Sequence, residues 1–313
     1  MTKLLTVFGA TGVQGGSVIR AVLADSTLSK TFKIRAVTRD VSKPAAQALA
    51  QQGIEVTAAD MGSRSSVDAA VQGTHTLFLV TLPDMMTGAP AGTETAQGKT
   101  VADAAKAAGV QHLIFSSLID VTKASGGKLP HVHHFDSKAR VEDYIRAQGI
   151  PATFLQPGYY MTNFTNLGLL RKGDDGSYTL AGPTGATKAQ LPLIFTEDDM
   201  GKYFIAIAKQ PLSKILNKTI PAAADYYTPQ RIMDEFTAVT GHRGQYVQLD
   251  HGVYKGFLPP PIAQEILENE LLCEHPGFFA GASLTDGHEL LAEVGLKVTT
   301  WKEYLEARKG QFE

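Results

Sequence analysis

Three glycines spaced three apart, Gly9, Gly12 and Gly15, lie in the run Gly9-Ala10-Thr11-Gly12-Val13-Gln14-Gly15-Gly16, straight after the apolar stretch Leu4–Phe8. An amphipathic stretch with Val18, Ile19, Val22 and Leu23 follows at once. Strand, glycine turn and helix in that order are the setting in which such a motif binds a dinucleotide. Gly9 allows the tight turn out of the strand. Gly12 lacks a Cβ, so backbone can approach a pyrophosphate, and Gly15 lets the helix pack closely on the strand. The unpaired N–H groups of the first helical turn then face the phosphates.

The second strand-like run, Phe32–Val37, ends in Thr38-Arg39-Asp40. An acidic residue at this turn would accept hydrogen bonds from the adenosine ribose and favour NAD. A guanidinium instead pairs with a 2′-phosphate through its planar fork. Arg39, with Lys43 four residues on as a second positive charge, therefore points to NADP(H) over NAD(H). Asp40 next door leaves room for some NAD binding.

Ligands of open α/β sheets lie beyond the carboxyl ends of the strands. The third strand ends at Asp60-Met61, which would flank the adenine. Thr81-Leu82-Pro83 follows the fourth, near the ribose and nicotinamide. Ser116-Ser117 follows the fifth, and Gln156-Pro157-Gly158-Tyr159 the sixth.

The elements that would position these groups alternate through the first half. Helix-like Ser42–Gln52, strand-like Ile54–Ala58 and helix-like Ser65–Val71 come first. Thr76–Thr81 reads as a strand, Thr93–Ala108 as an Ala-rich helix and Val110–Ser116 as a strand. A helix from about Phe135 to Gln148 leads to the strand Ala152–Gln156. This order predicts a doubly wound parallel sheet with helices on both faces. Gly53, Gly109 and Gly149 close helices as left-handed caps. After Pro157 the rhythm changes, through an aromatic run, Gly158–Phe164, and a turn-rich stretch, Gly173–Thr187. A helix over Glu197–Gln210, a strand over Leu216–Ile220 and a helix over Thr228–Thr240 follow, the last capped by Thr228 with Pro229 at its first position. Pro259-Pro260-Pro261 opens a mostly helical tail. The expected division is a nucleotide domain over 1–157, with 197–221 returning to it, and a smaller α/β domain over 158–196 and 222–313 that covers the cofactor's reactive end.

The 313 residues suffice for this arrangement, and a chain of that size buries roughly three quarters of its unfolded surface without help from metal or disulfide. The single cysteine, Cys273, forms no intrachain disulfide and fits a reducing compartment. A formal net charge of −2 gives no polyelectrolyte footprint for nucleic acid. No apolar run has membrane-spanning length, and the chain opens directly into its first strand. These features predict a cytoplasmic protein.

His133-His134-Phe135-Asp136-Ser137-Lys138 opens the helix before the sixth strand. Short-chain dehydrogenases carry there a Tyr and a Lys one turn apart on one helical face. The Tyr moves the proton, while the Lys lowers its pKa and binds the nicotinamide ribose. Lys138 is present, but His134 stands in the Tyr position. Histidine can in principle donate a proton, but it is not the usual machinery. The expectation is that His134 does not replace the Tyr and that carbonyl reduction is slow or absent. Lys138 and His134 are the candidate catalytic residues only if the protein is an enzyme. His131, His133 and His134 lack a carboxylate or cysteine at ligand spacing, which argues against a metal.

The chain resembles the NmrA-like family, atypical relatives of the short-chain dehydrogenases, and within it the animal redox-sensor type. The resemblance rests on Val7–Gly16, Val37–Arg39, Gly98-Lys99, the segment His134–Lys138 with Val141-Glu142, and Lys309-Gly310-Gln311-Phe312. The resemblance implies a Rossmann-type domain plus a smaller α/β domain, and NADP(H) binding without the usual Tyr. It carries the cofactor-binding role to Gly9, Thr11, Gly12, Val13, Gln14, Arg39, Lys138 and Gln156–Tyr159. It further implies a regulator that senses the NADP(H) ratio, a protein partner, a homodimer, and for a regulator entry to the nucleus as well.

Two functions follow. The first is an NADP(H)-binding regulator that changes conformation or association with cofactor redox state. The alternative is an NADPH-dependent reductase of a quinone, enone or similar acceptor, with Tyr159, Tyr160, Met161 and Phe164 lining an apolar pocket.

Overall fold

The computed structural model describes residues 2–312. The first half winds β1 (Lys3–Phe8), α1 (Val13–Ala24), α2 (Leu28–Thr31), β2 (Phe32–Thr38), α3 (Pro44–Gln51), β3 (Glu55–Ala58), α4 (Arg64–Val71) and β4 (Thr76–Leu79). It continues through α5 (Asp84–Thr87), α6 (Thr93–Ala107), β5 (His112–Ser116), α7 (Val121–Ala124), α8 (His133–Ala147) and β6 (Ala152–Pro157). The second half carries β7 (Tyr159–Tyr160), α9 (Asn163–Asn166), β8 (Leu170–Lys172), β9 (Tyr178–Gly182), β10 (Leu191–Ile194), α10 (Thr196–Ala208), α11 (Leu212–Ile215), β11 (Thr219–Ala222) and β12 (Asp225–Tyr227). It closes with α12 (Pro229–Thr240), β13 (Gly244–Gln248), α13 (His251–Gly256), α14 (Ala263–Leu272), α15 (Thr285–Glu293), α16 (Trp301–Ala307) and a 3₁₀ turn, Lys309–Phe312.

Seven strands form one sheet in the order β11-β6-β5-β4-β1-β2-β3, every pair parallel. The chain builds outward from β1 to β3, then returns to place β4 on the other side of β1. The crevice between β1 and β4 is therefore the topological switch point, where ligands of such sheets bind. Alternation along β4 explains the two layers of core. Leu77 and Leu79 pack toward α4, α6 and α8, with Val101, Phe115 and Val141, whereas Phe78 packs toward α1 and α10 with Val18 and Phe204. Two three-stranded sheets, β12-β10-β7 and β13-β9-β8, complete the molecule. They pack with α12, α14 and α16 around a separate core that contains Tyr159, Phe164, Phe236 and Trp301.

Gly53, Gly109 and Gly149 take positive φ, as their places after α3, α6 and α8 demanded. Thr228 accepts from Arg231 N, with Pro229 at the first helical position. Element ends moved for local reasons. The helix expected from Ser42 begins at Pro44, because the Asp40 carboxylate instead takes Ser42 N at 2.9 Å and turns the chain. The last strand of the large sheet begins at Thr219 rather than Leu216, after a turn through Asn217 at φ 62°.

Candidate functional site

The glycine turn sits at the mouth of the crevice, and its glycines differ in what they accommodate. Gly9 has φ +72°, and a Cβ there would lie 2.4 Å from Val80 Cγ1 beyond β4. A Cβ on Gly15 would lie 2.3 Å from the Gly9 carbonyl oxygen. The protein's own packing demands both glycines. Gly12, the N-cap of α1, is different: an added Cβ would meet only Gly9 O, at 3.3 Å. Gly12 is the least crowded of the three glycines, although a Cβ there would still press on a backbone oxygen. Thr11, Gly12 and Val13 are exposed, and with Arg20, Phe195, Glu197 and Asp198 they line an open cleft of about 580 Å³. The first turn of α1 holds no acidic residue to oppose an anion at its N-terminus. Gln14 donates from Nε2 to the Tyr160 hydroxyl at 2.8 Å, while its buried Oε1 has no partner.

At the turn after β2, Arg39 is exposed and makes no hydrogen bond or ion pair among the described residues. Lys43 is the exposed N-cap of α3. Asp40 is turned back on Ser42, whose hydroxyl and N–H hold its carboxyl below the usual range. Asp60 is exposed, its Oδ1 accepting from Gly62 N at 2.8 Å, and Met61 packs against the core between the sheet and α4. Neither cation at this turn is paired among the described residues, and the neighbouring Asp40 carboxylate is engaged.

At the other end, α8 and the chain after β4 bring Lys138 and Thr81 together. Lys138 Nζ donates to the Thr81 carbonyl at 2.9 Å and to Thr81 Oγ1 at 3.0 Å. It also pairs with the carboxylate of Glu94 on α6, which is fully buried. Thr81 Oγ1 donates to Glu94 Oε1 at 2.6 Å, and Ser137 Oγ to Glu94 Oε2. Burial pushes the Lys138 pKa down and the Glu94 charge opposes it.

His134, one turn before Lys138, is held from outside the helix. Its Nδ1 lies 2.6 Å from Glu265 Oε1 on α14, and its backbone N–H donates to the same oxygen at 2.8 Å. Burial works to raise the Glu265 pKa, but the bonds from His134 outweigh it and the carboxyl titrates below its usual range. His131 repeats the pattern on Glu268, with Nδ1 to Oε1 at 2.5 Å and N to Oε2 at 2.8 Å. No group of three or more His, Cys, Asp or Glu side chains among the described residues is arranged to hold a metal.

The sixth-strand residues are less unified than their adjacency suggests. Gln156 lines a different pocket, of about 300 Å³, with Leu118–Ala124 segments, Ala139, Glu142 and Asp143, and it shares no lining residue with the cleft over Gly12. Pro157 ends β6, and Gly158 is required by packing, since a Cβ there would lie 2.0 Å from Pro192 O. Tyr159 donates to Glu270 Oε1 at 3.2 Å, and burial pushes the Glu270 carboxyl up to about 7. Of the aromatic run, Met161 and Phe164 are fully buried core side chains, and Phe164 packs on Trp301. Glu94, Glu265 and Glu270 are the site-forming groups that sequence reasoning missed. Each reads locally as an ordinary charge on a helix.

The chain matches the NmrA-like family over residues 1–305. It is 35% identical over 258 residues to the NmrA-like family domain-containing oxidoreductase malD of Malbranchea aurantiaca, covering 79% of this chain and 76% of that one. Its fold is similar to that of NmrA, a negative transcriptional regulator, solved in complex with NADP (TM-score 0.81, 25% identity, 97% of this chain and 94% of that one). It is also similar in fold to a Citrobacter triphenylmethane reductase complexed with NADP(H) (TM-score 0.76, 23% identity, 97% and 99% covered).

Proposed function

The chain belongs to the NmrA-like family, and on that premise we propose that it is an NADP(H)-dependent reductase of a small acceptor such as a quinone or enone. The observation that carries this reading is His134, whose Nδ1 is held by Glu265 at 2.6 Å one helical turn before Lys138. A histidine oriented at one nitrogen by a carboxylate has its other nitrogen free to work as a proton donor. No hydrogen bond engages Nε2 among the described residues. The bound cofactor would lie along the crevice from Arg39, at the 2′-phosphate, past Gly12 to Thr81 and Lys138. Asp60 and Met61 would flank the adenine, and Lys43 would add charge beside Arg39. When bound, the reduced nicotinamide supplies a hydride. The protein's part is to hold the ribose through Lys138 and to give the acceptor oxygen a proton from His134 Nε2, which solvent then restores. Glu265 fixes the orientation of the ring through Nδ1. Segments 1–157 and 197–221 would hold the cofactor, and the rest of the chain would cover its reactive end.

The support from kinship is of the same kind, since relatives such as malD carry oxidoreductase in their names. The test is the rate of NADPH-driven quinone reduction by wild type, His134→Gln and Glu265→Gln. His134→Gln removes about 10²-fold or more of kcat, the usual contribution of a positioned acid, and Glu265→Gln lowers kcat by loosening the ring it holds. A kcat identical in wild type and Glu265→Gln would refute the role of the pair.

The regulator reading has its own support in the histidine–glutamate contacts that join α8 to α14, and in the fold shared with NmrA. A regulator needs a cofactor that favours one conformation, because equal affinity for both shifts nothing. The segments to watch are Pro83–Gly92 and Ile119–His133, and the association to watch is with a partner protein or a second copy.

A further inference from the structure

The buried carboxylate of Glu94 has no place in the sequence motif, yet it pairs with Lys138. An ammonium has three N–H groups. Those of Lys138 are all engaged, by Glu94 Oε1, by the Thr81 carbonyl and by Thr81 Oγ1. A fully buried lysine without a counter-charge loses its proton, with its pKa falling by as much as ~3–5 units. Glu94 is the carboxylate paired with it among the described residues. The other carboxylates close by are engaged elsewhere. Asp84 takes the backbone N–H groups of Gly92 and Glu94, both at 2.7 Å, and so fixes the start of α6. Asp136 takes Val121 N at 2.7 Å and the Thr122 hydroxyl at 2.5 Å.

Resting on the reading that Lys138 serves the nicotinamide ribose, we propose that Glu94 is the positioning residue of this site, keeping Lys138 charged and aimed while the ribose takes the N–H now directed at Thr81 Oγ1. That exchange is the least disruptive of the three. The Thr81 hydroxyl keeps its own donation to Glu94 at 2.6 Å, so no buried donor is orphaned. Drawing Lys138 away from Glu94 would instead leave a buried carboxylate without its cation, a far costlier change. Ser137, next to Lys138 on α8, bonds the second oxygen of Glu94 and stops the carboxylate from rotating away.

The experiment is calorimetric titration of the full chain with NADPH between about pH 6 and 8, for wild type, Lys138→Met, Glu94→Gln and Glu94→Asp. Lys138→Met is expected to weaken binding by ~10-fold or more, the usual worth of a charge-assisted bond. Glu94→Gln should weaken it comparably at the alkaline end and recover toward the acid end, because affinity is lost as pH rises through the lowered lysine pKa. Each profile is read relative to wild type, which carries the titration of the cofactor's own 2′-phosphate at about pH 6, so that flat means parallel to wild type. Glu94→Asp keeps the charge on a shorter arm, so it should lose several-fold with a flat profile. Unchanged affinity in Lys138→Met would defeat the ribose reading and this inference with it. A Lys138→Met loss beside a wild-type affinity and flat profile in Glu94→Gln would overturn this inference alone. Should Glu94→Gln not fold, Glu94→Asp decides, and wild-type affinity there overturns the proposal.

Discussion

Individual residues separate cleanly into those that the protein needs for itself and those that it leaves for a ligand. Gly9 and Gly15 have no room for a Cβ against Val80 and Gly9 O, whereas at Gly12 the contact is milder, 3.3 Å to Gly9 O. Gly12→Val should therefore abolish NADPH binding while lowering the melting temperature of the cofactor-free protein less than Gly15→Val does; an equal loss would make Gly12 a structural residue like its neighbours. Arg39, exposed and unpaired, should contribute ~1.5–3 kcal/mol to NADPH binding through charge-assisted bonds. Arg39→Ala is expected to weaken NADPH roughly 10- to 150-fold and to leave NADH nearly unchanged, as measured by calorimetry. Equal losses for both cofactors would contradict a 2′-phosphate contact. The glycine turn was legible because its geometry is local to eight consecutive residues. The carboxylates were not. Glu94 meets Lys138 across 44 residues of chain, and Glu265 meets His134 across 131. No local pattern encodes such a meeting.

Secondary-structure elements tell a similar story. The seven-stranded sheet and its helices follow from apolar runs, glycine caps and helical spacing. The two small sheets do not, because their strands have two to five residues and find partners far along the chain, as β9 does with β13. Nor did any periodicity announce that α14 would dock on the start of α8. That docking carries a pH signature. Glu265 and Glu268 each titrate below the ordinary 4.5 in the folded protein, as bonds from His134, and from Gln264 and His131, outweigh burial. A carboxyl with a lowered folded pKa adds stability that is present above its unfolded value and lost as pH falls through the folded one. Glu265→Ala should cost about 1–3 kcal/mol at pH 7, the penalty for orphaning largely buried donors on His134, and Glu268→Ala less, because His131 is half exposed. In denaturant unfolding, the gap to wild type should narrow as pH drops below the carboxylate range. A gap independent of pH would show that the histidine contacts contribute nothing through charge.

At the scale of the whole molecule, the strand order places the glycine turn at the β1/β4 switch point, and the NmrA-like family match runs over residues 1–305. No helix among the described residues is long and apolar enough to cross a membrane. A fold of this kind hosts both chemistry and regulation, so the decision lies with the site and not with the architecture. The missing Tyr in the sequence favoured a regulator. The proposal of a reductase rests instead on the contact that holds His134 Nδ1 on Glu265. The central claim is thus turnover, and the direct measurement is NADPH consumption by the full chain across a panel of quinones and enones, with limited proteolysis run on the same samples. Steady NADPH oxidation with at least one acceptor, strongly reduced in His134→Gln and far slower with NADH, is the predicted result. No oxidation with any acceptor, together with protease sensitivity that changes on adding NADPH or NADP⁺, would contradict the reductase and leave the regulator.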